Sequence, residues 1–162
     1  MSTFFIRPAL ASDAGALLDL IRRLALYEQA ADQVANTAEG LLRDGFGNEP
    51  AFFAWMAEAG GLPVGFALAY YRYSTWRGKV LYLEDLFVVP PYRGKGIGKA
   101  LIDTVREKAK SENLPGVSFQ VLDWNEPAIG FYQRLGAAFD PAWWNGFIET
   151  GMGERDVPAD RD

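Results

Sequence analysis

The apolar positions of this chain repeat with two periods, and the switches between them mark out its elements. Residues 3–8, TFFIRP, read as a short strand ended by Pro8. Ser12 or Asp13 then caps a helix running to about Tyr27. Leu17, Leu18, Ile21, Leu24 and Ala25 fall on one face of it at helical spacing. Thr37 caps a shorter helix through Leu41 and Leu42, which Gly45 stops. Residues 51–59 and 62–73 read as two strands joined at Gly60-Gly61, a hairpin signal. Residues 79–89, KVLYLEDLFVV, are the most strand-like stretch of all. Residues 99–112 return to the helical period, with Ala100, Leu101, Val105 and Ala109 facing inward. A strand over 116–123 follows, then a helix over 125–137. Asn125 caps that helix, Pro127 lies in its first turn and Gly136 just past its end. The apolar run 139–150 reads as one or two further strands, and the polar residues 150–162 read as a frayed tail. This order predicts one α/β (α+β) domain spanning residues 1–162, built on a mixed sheet. The 79–89 strand, its helix and the 116–123 strand form a parallel βαβ unit.

Composition narrows the chemistry. The chain has 162 residues, 49% of them hydrophobic, which is enough for a sizeable core. A net charge of −5 disfavours nucleic acid as a partner and is compatible with a cationic small molecule. The chain contains no Cys and no His. Cysteine nucleophiles, disulfides, zinc sites built on Cys or His, and Ser-His-Asp triads are therefore excluded, and no metal site is expected. Proton transfer has to use Asp, Glu, Tyr, Lys or a chain end. No apolar run is long enough for a signal peptide or a membrane span, so a cytoplasmic protein is expected.

The chemistry concentrates where the 79–89 strand ends. Pro90-Pro91 stops it, and Arg93-Gly94-Lys95-Gly96-Ile97-Gly98 leads into a helix. Amides at a helix start are unpaired and carry positive partial charge, and glycines let a phosphate approach them. The stretch therefore predicts a diphosphate cradle. It is not a nucleotide P-loop, because Gly98 is followed by Lys99 and Ala100 rather than by Lys and Ser/Thr. It is not a dinucleotide fingerprint either, because Lys99 stands where the third glycine belongs.

Arg93-x-x-Gly96-x-Gly98 after an apolar strand resembles the acetyl-CoA loop of the GNAT N-acetyltransferases. Leu-Tyr-Leu-Glu-Asp (81–85), Asp-Gly-Phe-Gly (44–47), Trp-Asn-Glu-Pro (124–127), Phe-Tyr (131–132) and Tyr27-Glu28 resemble the spermidine/spermine (diamine) acetyltransferase branch. Ser-Thr-Trp-Arg-Gly (74–78) and Val-Leu-Asp-Trp-Asn (121–125) are closer to its thialysine acetyltransferase relative. The resemblance runs from about residue 4 to 137 and is weak beyond Ala137. It implies a mostly antiparallel mixed sheet of about six to seven strands flanked by about four helices, acetyl-CoA as donor, and a homodimer. It also implies that the 79–89 and 116–123 strands splay apart. The backbone of Leu86, Phe87 and Val88 then pairs with the pantetheine arm, and Arg93, Gly94, Lys95, Gly96, Ile97, Gly98 and Lys99 hold the diphosphate. Asn125, Pro127, Tyr132 and Arg134 complete the donor site, although the capping role of Asn125 is sufficient by itself.

The resemblance assigns Glu84 as general base, through a water, and Tyr132 as general acid toward the leaving thiolate. The physics agrees with the need. An amine of pKa near 10.4 is neutral in about one molecule in 2,500 at pH 7, a handicap of roughly 4.6 kcal/mol. Without His, a carboxylate is the natural proton acceptor. Neighbours on a strand point to opposite faces, so Glu84 and Asp85 are expected on opposite sides of the sheet, and either is also compatible with a solvated position. For a cationic amine the expected acids are Glu28, Glu84, Asp85, Asp123 and Glu126, with Tyr27 and Trp76 as aromatic walls and Trp124 as a further substrate contact. Glu149 and the Trp143-Trp144 segment are candidates for a further substrate acid and a dimer contact. Open alternatives are a CoA-binding module without turnover, a nucleotide-binding phosphotransferase, and a different amine such as an amino acid, an aminoglycoside-like compound or a protein N-terminus.

Overall fold

The computed structural model describes residues 3–148 and 150. Its elements are β1 (Phe4–Pro8), α1 (Ala14–Tyr27), α2 (Ala38–Gly45), β2 (Phe53–Ala59), β3 (Leu62–Ser74), β4 (Gly78–Val88), α3 (Ile97–Ser111), β5 (Val117–Phe119) and α4 (Glu126–Arg134). The chain divides into two compact units, one ending at Gln120 and the other beginning at Val121.

The first unit is one five-stranded sheet in the order β1-β2-β3-β4-β5. The first four strands pair antiparallel, and β4 pairs parallel with β5 through the α3 crossover. The class is the expected mixed α/β one, with five strands among the described residues rather than six or seven. Gly60 and Gly61, both at positive φ, make the tight β2–β3 turn. Along β3, Val64 to Ala69 are six consecutive buried residues, so both faces of the sheet are covered there, and α1 and α3 both pack on this strand. Leu17, Leu20 and Leu24 of α1 and Ile97, Leu101 and Val105 of α3 supply the apolar faces. Thr37 caps α2 as expected, its hydroxyl accepting the Gly40 N–H at 3.0 Å.

Two local readings are corrected. Neither Ser12 nor Asp13 caps α1 with its side chain; a 3₁₀ turn over Ala11–Asp13 precedes the helix. The Asp13 carboxylate instead accepts from Arg7, at 2.6 and 2.9 Å, and from the Leu10 N–H at 2.7 Å. Arg7 also donates to Glu58 on β2 at 2.8 Å, so one guanidinium ties β1, the turn and β2 together. An ionised arginine outcompetes helix amides for a carboxylate. The strand expected over 116–123 keeps only Val117–Phe119, because the β4 edge beside it stops pairing.

The second unit contains α4. The Asn125 side chain caps it, accepting the Ala128 N–H at 3.3 Å, and Pro127 lies in its first turn. Gly136, at φ 84°, follows the helix end. The strands expected over 139–150 do not form among the described residues. A strand requires a partner, and Trp143, Trp144, Phe147 and Ile148 stand exposed without one. Glu149 and the tail 151–162 lie outside the described residues.

Candidate active site

The site begins with a register error built into β4. Leu68 of β3 faces Asp85, yet the next residue, Ala69, faces Leu83, so Glu84 is an extra residue with no partner on β3. This is a β-bulge, which bends a strand and re-aims its side chains. Paired residues share a face. Tyr82 therefore lies with Tyr70, and Asp85 with Leu68, which is on the same face as Tyr70 two positions away. The bulge thus overturns the alternation expected from sequence: Asp85 sits on the Tyr70 and Tyr82 side, where plain alternation from Tyr82 places Glu84. Glu84 acts electrostatically on Tyr70, Tyr82 and Asp85 alike, so both acids serve one side of the sheet.

The bulge also ends the pairing with β5. Leu83 pairs with Phe119, and from Glu84 to Val88 the outer edge of β4 has no strand beside it among the described residues. The Val89 N–H donates to Val64 of β3 at 2.9 Å. By alternation the main-chain groups of Val88 and Leu86 face the open edge, while those of Phe87 turn toward β3. The Leu86 main chain and the Val88 N–H face that open edge, the Val88 carbonyl being taken by Arg93, and such an edge is a template for an extended partner carrying amides.

Glu28, the residue at which α1 ends, joins the two acids of β4. Burial raises its carboxyl above the ordinary range. Asp85 is enclosed by protein although part of its surface stays open. Burial first, then the charges of Glu84 and Glu28, push its carboxyl up from 3.8 to about 7. No lysine or arginine forms an ion pair with any of the three among the described residues. Tyr70 is the residue that the sequence reading missed. Its ring lies 5.2 Å from that of Tyr82, and its hydroxyl is pushed up to about 12 by burial, by the charge of Glu84 and by a hydrogen bond to Glu84. Only the β3–β4 register puts Tyr70 there, and no local signal announces it. Arg72 lies 5.3 Å over the Tyr82 ring.

At the other end of β4, Gly94 (φ 73°) and Gly96 (φ 86°) adopt left-handed conformations, and a Cβ on either would meet no atom within 4 Å. The turn needs glycine for its backbone angles, and the space above it is open. Gly96 is the N-cap of α3 and provides no side chain to cap it. The first helical bond is Ala100 N–H to Gly96 at 2.9 Å. The amides of Ile97, Gly98 and Lys99 therefore have no partner among the described residues and point out of the helix start. Lys99 pairs with Asp103, and the Lys95 ammonium lies 4.9 Å over the Tyr92 ring. Arg93 turns back: its Nε donates to the Val88 carbonyl at 2.8 Å, and its guanidinium lies 4.6 Å over Tyr27.

Trp76 is 85% exposed in the β3–β4 turn, six strand residues and thus about 20 Å from Glu84 within one chain. In the second unit, Asn125 and Tyr132 are buried, Tyr132 with its ring 5.2 Å from Phe131. Asp123, Trp124, Pro127 and Arg134 are exposed.

A loop shaped for a diphosphate follows the strand that carries two of the clustered carboxylates, the arrangement of a group transferase. The sequence pattern of the Acetyltransferase (GNAT) family matches residues 17–137, and the chain belongs to that family. It is 44% identical to the thialysine N-epsilon-acetyltransferase of Bos taurus over 167 aligned residues, covering 97% of this chain and 98% of that protein. It is 41% identical to the spermidine/spermine N(1)-acetyltransferase-like protein 1 of Homo sapiens, over 85% of this chain and 21% of that longer protein. Its fold matches an aminoglycoside acetyltransferase from an uncultured soil metagenomic sample with a TM-score of 0.76 at 19% identity, covering 90% of this chain and 97% of that one. The chain is thus an acetyltransferase that moves acetyl groups to amines, with acetyl-CoA as donor. The open amides of the loop and the free β4 edge fit that donor.

Proposed function

We propose that the chain acetylates a primary amine of a small substrate carrying more than one positive charge, a diamine, polyamine or thialysine-like amino acid, by direct attack of the amine on the thioester. One observation carries the reading: three carboxylates, Glu28, Glu84 and Asp85, share one neighbourhood and none is ion-paired among the described residues. Clustered acids repel, and a second ammonium on the substrate relieves that repulsion. In this reading Glu84, oriented by Tyr70, takes the proton of the attacking amine through a water, and Asp85 and Glu28 hold the distal cation. The amide edge at Leu86 and Val88 aligns the pantetheine arm. By the family resemblance Tyr132 is the proton donor to the departing thiolate, while Asn125 caps α4.

The 97% coverage by a thialysine acetyltransferase supports an amino-acid-like diamine as strongly as a polyamine. Measuring CoA release with spermidine, diaminopropane, thialysine and an uncharged monoamine tests the reading. Faster turnover with the multiply charged amines supports it, and equal turnover of the monoamine refutes it. The exposed aromatic segment, with Trp144 at 96% and Phe147 at 85%, supports a homodimer, which light scattering decides. No helix among the described residues is long and apolar enough to cross a membrane, and an acetyl-CoA-dependent reaction suits the cytoplasm.

A further inference from the structure

Arg93 opens the phosphate loop, yet its side chain is committed to the protein. Nε donates to the Val88 carbonyl at 2.8 Å, and the guanidinium plane lies 4.6 Å from the Tyr27 ring centre and 5.5 Å from that of Phe87. A planar cation with one fixed hydrogen bond and two rings beside it has little freedom left. The three things it touches belong to different parts of the site. Val88 is where the donor's extended arm has its open strand edge. Gly94, the next residue, begins the diphosphate turn. Tyr27 is the last residue of α1, and Glu28 follows it directly, its N–H bonded to Leu24 at 2.9 Å. Gln29, at φ 60°, then turns the chain away, so Tyr27 and Glu28 move together. Glu28 in turn acts on Asp85.

We infer that Arg93 is a positioning residue that couples the donor loop to the acceptor carboxylates through the ring of Tyr27. The inference rests on the proposed acceptor site. Loading of the donor fixes the loop and the Val88 edge, hence Arg93, hence the α1 terminus that carries Glu28. Coupling of this kind is reciprocal, so a change at Tyr27 is felt by the donor although Tyr27 lies outside the loop.

The test is a double-mutant cycle on Tyr27→Leu and Arg93→Lys, with acetyl-CoA dissociation constants from calorimetry and KM and kcat for the best amine of the panel. Tyr27→Leu is expected to weaken acetyl-CoA binding about fivefold, and Arg93→Lys, which keeps the charge but loses the stack, to raise the amine KM about as much. The double variant is expected to be no worse than the poorer single one. Tyr27→Phe, which keeps the ring, is expected to retain the acetyl-CoA affinity, a rescue that general destabilisation would not produce. Multiplicative effects in the double variant, or unchanged acetyl-CoA affinity in Tyr27→Leu, overturn the inference. Should Tyr27→Leu not fold, Tyr27→Trp against Arg93→Lys closes the cycle. The acetyl-CoA measurements need no acceptor, so failure of every amine in the panel would count against the proposed substrate and leave the coupling decided on donor affinity alone.

Discussion

Replacing Asp85 with Asn is expected to stabilise the protein, and only above acidic pH. The folded environment raises the Asp85 carboxyl from 3.8 to about 7, through burial and the neighbouring charges of Glu84 and Glu28. In the unfolded chain the group ionises near its ordinary value. Below about pH 3 it is protonated in both states and costs nothing, and the cost begins as pH passes through 3.8. Between about pH 4 and 7 the folded state holds more protons than the unfolded one, so stability falls as pH rises, and above pH 7 the loss is complete. Each pKa unit corresponds to about 1.4 kcal/mol, so roughly three units set a ceiling of about 4 kcal/mol. Asp85 keeps some contact with solvent, which makes about 2–4 kcal/mol the expected range. Asn is neutral throughout and nearly isosteric. The assay is urea denaturation of both proteins at pH 4.5 and pH 8, comparing the variant-minus-wild-type difference at the two values; groups that titrate alike in both cancel. At most about 1 kcal/mol at the lower pH and about 2–4 kcal/mol in favour of Asn at the higher is the expected result, the latter a gain of about 5–10 °C in melting temperature. A difference that does not change with pH would refute the reasoning, since Asp85 would then ionise in the fold without penalty. The same variant is expected to lose affinity for a dicationic amine, so the stability gain comes at the expense of function.

Glu84→Gln is expected to cut kcat/KM about 100-fold at pH 7, with the defect shrinking as pH approaches the amine pKa near 10.4; a pH-independent defect in the rate profile argues against a base. Tyr132→Phe is expected to lower turnover about 100-fold while acetyl-CoA affinity, measured by calorimetry, stays within about threefold; equal losses would make its role structural. Tyr70→Phe removes the hydroxyl bonded to Glu84 and is expected to reduce kcat about tenfold with little change in thermal stability. Gly96→Ala forces a side chain into φ 86° and is expected to cost about 1–2 kcal/mol in denaturation and to weaken acetyl-CoA binding, whereas Lys95→Ala leaves stability unchanged.

The elements that read most clearly from sequence are those whose signals are local. The Thr37 and Asn125 caps, the Gly60-Gly61 turn, the inward face of α3 and the glycine loop all depend on residues within a few positions of one another. Asp13 misled because its strongest partner, Arg7, is not a helix amide but a guanidinium on a neighbouring strand. The run 139–150 misled because apolar character alone does not make a strand. Glu84 and Asp85 were legible as candidates, but not their arrangement, because the bulge that brings them to one side arises from pairing with β3.

The chain by itself determined the absence of histidine and cysteine, which leaves carboxylates, tyrosine, lysine or a chain end for proton transfer. It also determined the glycine pattern that requires left-handed backbone at Gly94 and Gly96. These are properties of residue type and short-range sterics. Tertiary structure alone decided that Tyr70 meets Glu84, that the Asp85 carboxyl is raised to about 7, and that Arg93 reaches Tyr27 and the Val88 carbonyl. Each of these depends on the distance between segments far apart in the chain, and both desolvation and Coulomb energy are functions of that distance.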